Sequence, residues 1–297
     1  MYILKRYAAY IYLATAVFSL FTGLFILFYK FDIYNKTMAM LDKDSERIPI
    51  LLYHHLADGG DNPGAVISAE MFESHIKALR DGGYTAISFD ELCGFVYDGT
   101  PLPTRPVVIT FDDGYTSNYE IAYPILKKYG MKATVFIIGV MHGAFYYRDT
   151  KIPIYIPHFG DAEAVDMARS GIISIQSHSY DMHQDSSIEP GPFRFGVLRM
   201  SGESLDDYIE AFNKDFEESA AQIESISGER PFVYSYPFGE CNKLTEKLLL
   251  EDGVKVTLTT KKGSNIVTRG SPKSLFGLRR YNVFGNMTAD RLLSMIG

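Results

Sequence analysis

The chain has little cysteine, no run of basic residues and no glycine-rich turn behind its first apolar strand, and each lack removes a class of protein. Two cysteines, Cys93 and Cys241, in 297 residues give no disulfide framework, and the absence of a Cys-x-x-Cys pair leaves no cysteine zinc site. Both are expected as free thiols. A net charge of −7 without clustered Lys or Arg argues against nucleic acid, because binding a phosphate backbone requires grouped cations that displace its counterions. A doubly wound dinucleotide-binding sheet would carry a Gly-rich first turn. What remains, at 46% hydrophobic and 22% charged residues, is the composition of a folded globular protein.

One segment departs from that average. Residues Ala8 to Tyr29 carry no charge, and as a helix they would extend roughly 33 Å, enough to cross a hydrocarbon core of about 30 Å. Lys5 and Arg6 precede the span and favour a cytoplasmic N-terminus. The run is long for a cleavable signal and no A-x-A-like site follows it. The reading is therefore a membrane anchor over residues 1–30, a tether over 31–47 and a domain over 48–297 outside the membrane.

From Ile48 onward apolar strands and amphipathic helices alternate. "IPILLYHH" precedes a helix capped by Ser68; "PVVITF" precedes "SNYEIAYPILKKYG"; "ATVFII", "IISIQ", "FVYSY", "VKVTLTT" and "FGLRRYNV" follow, each linked to a helix, the longest from Ser204 to Ser227. Unbroken apolar strands are buried on both faces, as in a parallel sheet wrapped by helices. About 250 residues suits a single (β/α) barrel. The expected fold is a distorted (β/α) barrel of seven or eight strands.

Such a barrel gathers its chemistry at the C-terminal ends of its strands. There the sequence places His54 and His55, the pair Asp112–Asp113, His178 with His183 close behind, and Tyr236. An Asp-Asp-Gly turn alone is often only a polar loop. Two histidines with a carboxylate, however, form a ligand set for catalytic zinc. One aspartate could ligate while its neighbour acts as a general base. His75 lies on a helix face and reads as structural; His142 and His158 have no assigned partner. A magnesium phosphotransferase is disfavoured because imidazole suits zinc-like metals.

"TFDDG" at 110–114, "HSYDMH" at 178–183 and "SYPFG" at 235–239 together resemble the polysaccharide deacetylases of carbohydrate esterase family 4, the NodB-homology domain, over roughly residues 48–285. The resemblance implies Asp112 as catalytic base and Asp113, His178 and His183 as ligands of one divalent metal, zinc, with cobalt or nickel as alternatives. "HSYDMH" is one residue longer than the family's usual His-Ser/Thr-x-x-His. That spacing resembles the branch of poly-N-acetylglucosamine deacetylases, in which an N-terminal Tyr-His supplies the acid, so "LLYHH" implies His54, with His55 the alternative. No histidine follows His183, so the family's late Leu-x-His acid is missing. The family's Arg-Pro-Pro-Tyr-Gly is read with Tyr236 in the arginine's place, and Arg280 becomes the candidate orienter of the base; Arg230 lies at the wrong strand end. Tyr115 and Tyr236 are the candidate substrate and oxyanion residues. The tryptophan that often lines the acetyl pocket is absent, since the chain has none. The implied activity is removal of N-acetyl groups from an extracellular or cell-wall polysaccharide, with O-deacetylation and non-catalytic glycan binding as the rivals.

Overall fold

The computed structural model describes residues 22–23, 26–30, 44–57, 64–148, 150–184 and 193–297. The chain divides into two compact units, Met1–Glu46 and Arg47–Gly297. In the first, residues 22–23 and 26–30 are helical and exposed. The rest of the expected anchor lies outside the described residues, and among the described residues no helix is long and apolar enough to cross a membrane.

In the second unit a parallel sheet runs in the order β10 (Tyr281–Asn282), β2 (Ile50–Tyr53), β4 (Pro106–Phe111), β5 (Ala133–Ile137), β6 (Ile173–Ser177), β7 (Val233–Ser235) and β8 (Val256–Leu258), with β3 (Thr85–Ala86) also paired to β4. Two further strands, β1 (Ser45–Ile48) and β9 (Asn265–Thr268), lie outside this sheet. The sheet curls until its edges share a segment: Leu278 exchanges hydrogen bonds with Thr257 and Thr259 beside β8, both at 2.8 Å, and three residues later Tyr281 pairs with Leu51 of β2. A distorted (β/α) barrel describes this arrangement.

Strand alternation sorts the side chains into two layers. Leu51, Tyr53, Val107, Ile109, Phe111, Val135 and Ile137 face a core shared with the surrounding helices, whereas Ile50, Val108, Phe136, Val233, Val256 and Leu258 form an inner cluster. Both faces of β2, β4 and β5 are therefore buried, which accounts for their unbroken apolar runs. Among its described residues this unit has seven α-helices: α1 (Ala69–Asp81), α2 (Phe89–Cys93), α3 (Tyr123–Tyr129), α4 (Asp161–Arg169), α5 (Leu205–Ser227), α6 (Lys243–Glu251) and α7 (Ala289–Ile296). Ser68, Ser204 and Thr288 cap their helices by accepting backbone N–H groups, the pattern that a short polar residue ahead of an apolar period predicts.

The helix expected after "TFDDGYTS" is not a continuous α-helix. A π-turn over Asn118–Ala122 precedes α3, because Pro124 has no N–H with which to bond the carbonyl four residues back. His75 is structural, as expected: wholly buried on α1, it bridges the Tyr53 hydroxyl at 3.3 Å and the Met287 carbonyl at 2.6 Å. Both cysteines are free.

Candidate active site

The inner-face alternation of β4, through Val108 and Thr110, continues past the strand end to Asp112, so its carboxylate points into the mouth of the sheet while remaining almost wholly buried. A buried carboxylate requires partners. Arg280 supplies them: its two terminal nitrogens donate to the two Asp112 oxygens, each at 2.7 Å. The same guanidinium donates to the Ser235 hydroxyl at 2.9 Å and, through Nε, to the Thr259 carbonyl at 3.0 Å. Burial alone would push the Asp112 carboxyl up, but the Arg280 guanidinium outweighs it and holds the group well below the ordinary carboxylate range. Asp112 is thus a fixed, ionised acceptor.

Asp113 diverges from its neighbour through backbone conformation and not through strand pleating. The strand has ended at Phe111, and Asp113 and Gly114 both adopt left-handed conformations, each with φ of 74°. Aspartate tolerates that region better than most residues, and glycine freely. The turn brings Asp113 Oδ1 to 3.5 Å from His178 Nε2 and 3.6 Å from His183 Nε2. Their ligand atoms lie within 4.8 Å of one another. Donors about 2.0–2.1 Å from one tetrahedral ion would stand about 3.3 Å apart, so the three residues fit a zinc-type ion. His178 Nδ1 is 2.7 Å from the Ser235 carbonyl, which fixes the tautomer that leaves Nε2 free to ligate. Burial also keeps the His178 imidazole neutral by lowering its pKa.

The two N-terminal histidines separate. His55 is turned aside, with Nδ1 2.9 Å from the Ser117 hydroxyl and its ring against Tyr115. His54 lies close enough that its charge would lower both the Asp112 and the Asp113 carboxyls, and its buried Nδ1 has no hydrogen-bond partner among the described residues. Tyr115 borders Asp113, and its bridge to His158 is made by the N–H groups of Thr116 and Phe159. The Tyr115 N–H is outside that bridge.

Two expectations require correction. Tyr236 does not face the site: alternation puts Val233 and Ser235 inward, and Tyr234 and Tyr236 outward into a core with Phe212, Phe216 and Leu249. Its backbone N–H is also used, by Leu258. Laid residue by residue on Arg-Pro-Pro-Tyr-Gly, the string "SYPFG" places Ser235 at the arginine, and Ser235 is the residue touching Asp112 and Arg280. Arg280, in turn, stands one residue before β10 and not at its end; its long side chain carries the guanidinium to the mouth, passing 5.9 Å from the Phe136 ring centroid. Arg230 is remote, paired with Glu217 on the surface.

The polysaccharide deacetylase family model matches residues 99–257, over half of the chain. The chain belongs to that family. It is 30% identical over 244 residues to the Bacillus subtilis (strain 168) protein YxkH, itself assigned to the polysaccharide deacetylases, covering 82% of this chain and 74% of the relative. It is 26% identical over 232 residues to the poly-beta-1,6-N-acetyl-D-glucosamine N-deacetylase of Escherichia coli (strain K12), covering 71% of this chain but only 33% of that enzyme. Among solved structures, a de-N-acetylase from Aggregatibacter actinomycetemcomitans superposes with a TM-score of 0.72 at 23% identity, over 84% of this chain and 100% of the other; that likeness establishes the fold.

Beside the three-residue cluster this deacetylase-family chain has a pocket of about 460 Å³, walled by Tyr115, Tyr147, His158 and the stretch Ile152–Ile156. On the other flank, Phe238 lies against the His183 ring with centroids 4.4 Å apart and stacks with Phe195 at 4.9 Å and 6°. Sequence reasoning missed three supporting residues. His158 contacts the Asp113 carbonyl through Nδ1 at 2.8 Å, Ser235 holds His178, and Asp215 grips the histidine loop. For His158 the only signal was a histidine without a partner.

The tightness of the Asp113–Gly114 turn is testable. A Cβ on Gly114 would stand 2.9 Å from Ile137 Cγ2, on top of the left-handed backbone penalty. Gly114→Ala should destabilise the protein by about 1–3 kcal/mol, measured by denaturant unfolding; a change within about 0.5 kcal/mol would contradict the described packing.

Proposed function

We propose that this protein is a divalent-metal-dependent N-deacetylase acting on an N-acetylglucosamine polymer, of the poly-β-1,6-N-acetylglucosamine or peptidoglycan type. The observation that carries this reading is one carboxylate, Asp112, ionised and pinned by Arg280 directly beside a second carboxylate that shares its neighbourhood with two ligating histidines. Asp113, His178 and His183 would hold the ion, zinc by its nitrogen and oxygen donor set, with cobalt and nickel as alternatives. When bound, such an ion polarises a carbonyl and makes a water molecule more acidic.

The remaining steps belong to side chains. Asp112 accepts the proton of the attacking water at Oδ2, the oxygen that lies 3.7 Å from His178 Nε2. Arg280 and Ser235 keep that carboxylate from rotating or retreating. The Tyr115 N–H, outside the His158 bridge, is available to the developing oxyanion. His54, with its unpartnered Nδ1, delivers the proton that the departing amine requires. The stacked Phe195–Phe238 pair offers an apolar face to a neighbouring sugar ring. Residues 8–29 would anchor the protein, leaving the catalytic unit outside the membrane, where such polymers lie.

The test is stoichiometric. Full-length protein incubated with an N-acetylglucosamine oligomer should release acetate and free amine one for one; acetate released only from O-acetylated substrate would establish the esterase alternative, and no release from either would leave glycan binding without chemistry. Asp112→Asn should reduce turnover by about 10²–10⁴-fold while metal content, measured by elemental analysis, stays at the wild-type level. Loss of metal in that variant would contradict the division of roles. Phe195→Ala should raise KM for a long oligomer about three- to tenfold, equivalent to about 1 kcal/mol, and leave hydrolysis of a small aryl acetate unchanged; equal effects on both substrates would rule out a sugar platform.

A further inference from the structure

Both histidine ligands lie on one short loop, residues 178–183, that is one residue longer than the family's usual chelating run. A longer loop has more conformations in which His178 and His183 do not converge. Ser179 takes a left-handed conformation, φ 71°, and its hydroxyl accepts the Met182 N–H at 3.2 Å. That leaves the N–H groups of Tyr180 and Asp181, at the middle of the loop, facing α5.

Helix α5 meets them with a carboxylate. Asp215 is buried, and its Oδ2 accepts the Tyr180 N–H at 3.0 Å while its Oδ1 accepts the Asp181 N–H at 2.6 Å. One turn on, the Ser219 hydroxyl bonds the Ser177 hydroxyl at 2.7 Å, and one turn further Gln222 Nε2 reaches the Gly139 carbonyl at 3.3 Å. Positions 215, 219 and 222 follow the i, i+4, i+7 spacing of a single helix face. Three polar side chains on a face that otherwise buries Phe212, Phe216 and Ile223 are costly unless each is satisfied. All three bond the ends or middle of the loops that carry the site, Asp215 through both of its oxygens. Asp215 is the costliest of them: burial pushes its carboxyl up to about 7, and Asp181 and Glu218 add like charge. From the far side Arg148 holds the same loop through the Asp181 carbonyl at 3.0 Å.

We infer that Asp215 is a positioning residue for the metal-ligand loop, a carboxylate clamp from α5 that fixes the two central amides and so makes His178 and His183 converge despite the extra residue. This inference rests on the metal site of the proposed function. Its partners are amides of the ligand loop itself, so the clamp acts on ligand geometry at one remove, as supporting hydrogen bonds around metal ligands do.

The test reads metal binding rather than turnover. In full-length protein, Asp215→Asn retains the side-chain size but keeps one acceptor and turns an N–H donor toward the other amide. We expect its Zn²⁺ affinity, measured by chelator competition, to fall by about 10–100-fold, with a changed visible spectrum for bound Co²⁺. Phe212→Leu, on the same helix but in the apolar core, should lower the melting temperature and leave Zn²⁺ affinity and the Co²⁺ spectrum as in the wild type. Wild-type affinity and spectrum in Asp215→Asn would overturn the inference while the metal site stands; a wild-type protein that takes up no metal would overturn both. Should Asp215→Asn not fold, hydrogen exchange on the wild-type protein decides: slow exchange of the Tyr180 and Asp181 amides is expected, and exchange at the rate of exposed amides would overturn the clamp.

Discussion

The buried ion pair between Arg280 and Asp112 is the constraint on which the rest of the site depends. Neither group could be left alone where it is: removing one partner of a buried pair strands the other charge at a cost of about 3–5 kcal/mol. The pair spans 168 residues of sequence, and its arginine arrives on the segment Leu278–Asn282 that bonds both edges of the curled sheet. Shutting the sheet and fixing the Asp112 carboxylate are therefore one event. A chain that failed to dock this segment would also lose the partner of Asp112.

Around that pair, single residues serve two purposes. Ser235 touches the Asp112 carboxylate with its hydroxyl and fixes the His178 tautomer with its carbonyl. A small residue is needed there because the guanidinium from Arg280 occupies the space. The positive charge beside Asp112 comes from Arg280, just before β10, and β7 contributes only the short Ser235. His158 and Asp215 act comparably on Asp113 and on the histidine loop, through backbone groups and not through the ligating atoms themselves.

Much of this is legible in the residues. Unbroken apolar strands, capped helices and "TFDDG" give the parallel sheet, the layer of helices and the carboxylate pair; Arg280 is singled out because the motif's arginine is missing and a replacement is sought near the last strand. The failures have specific causes. Counting the motif one residue out of step selects Tyr236, and the period of two along β7 then puts the wrong side chain inward. The separation of Asp112 from Asp113 rests on a left-handed turn that adjacent carboxylates do not announce. Asp215 lies 32 residues beyond His183, and only a polar residue at helical spacing on an apolar face marks it. His54 and His55 are chemically alike in sequence; Ser117, which takes His55, distinguishes them in space.

The most direct measurement is a double-mutant cycle in denaturant unfolding on Asp112→Asn and Arg280→Met. Arg280→Met alone is expected to cost about 3–5 kcal/mol, and adding Asp112→Asn to recover a large part of that loss, a coupling of at least about 2 kcal/mol. Costs that add to within about 0.5 kcal/mol would mean that the two residues do not depend on each other, and the central interaction would be absent.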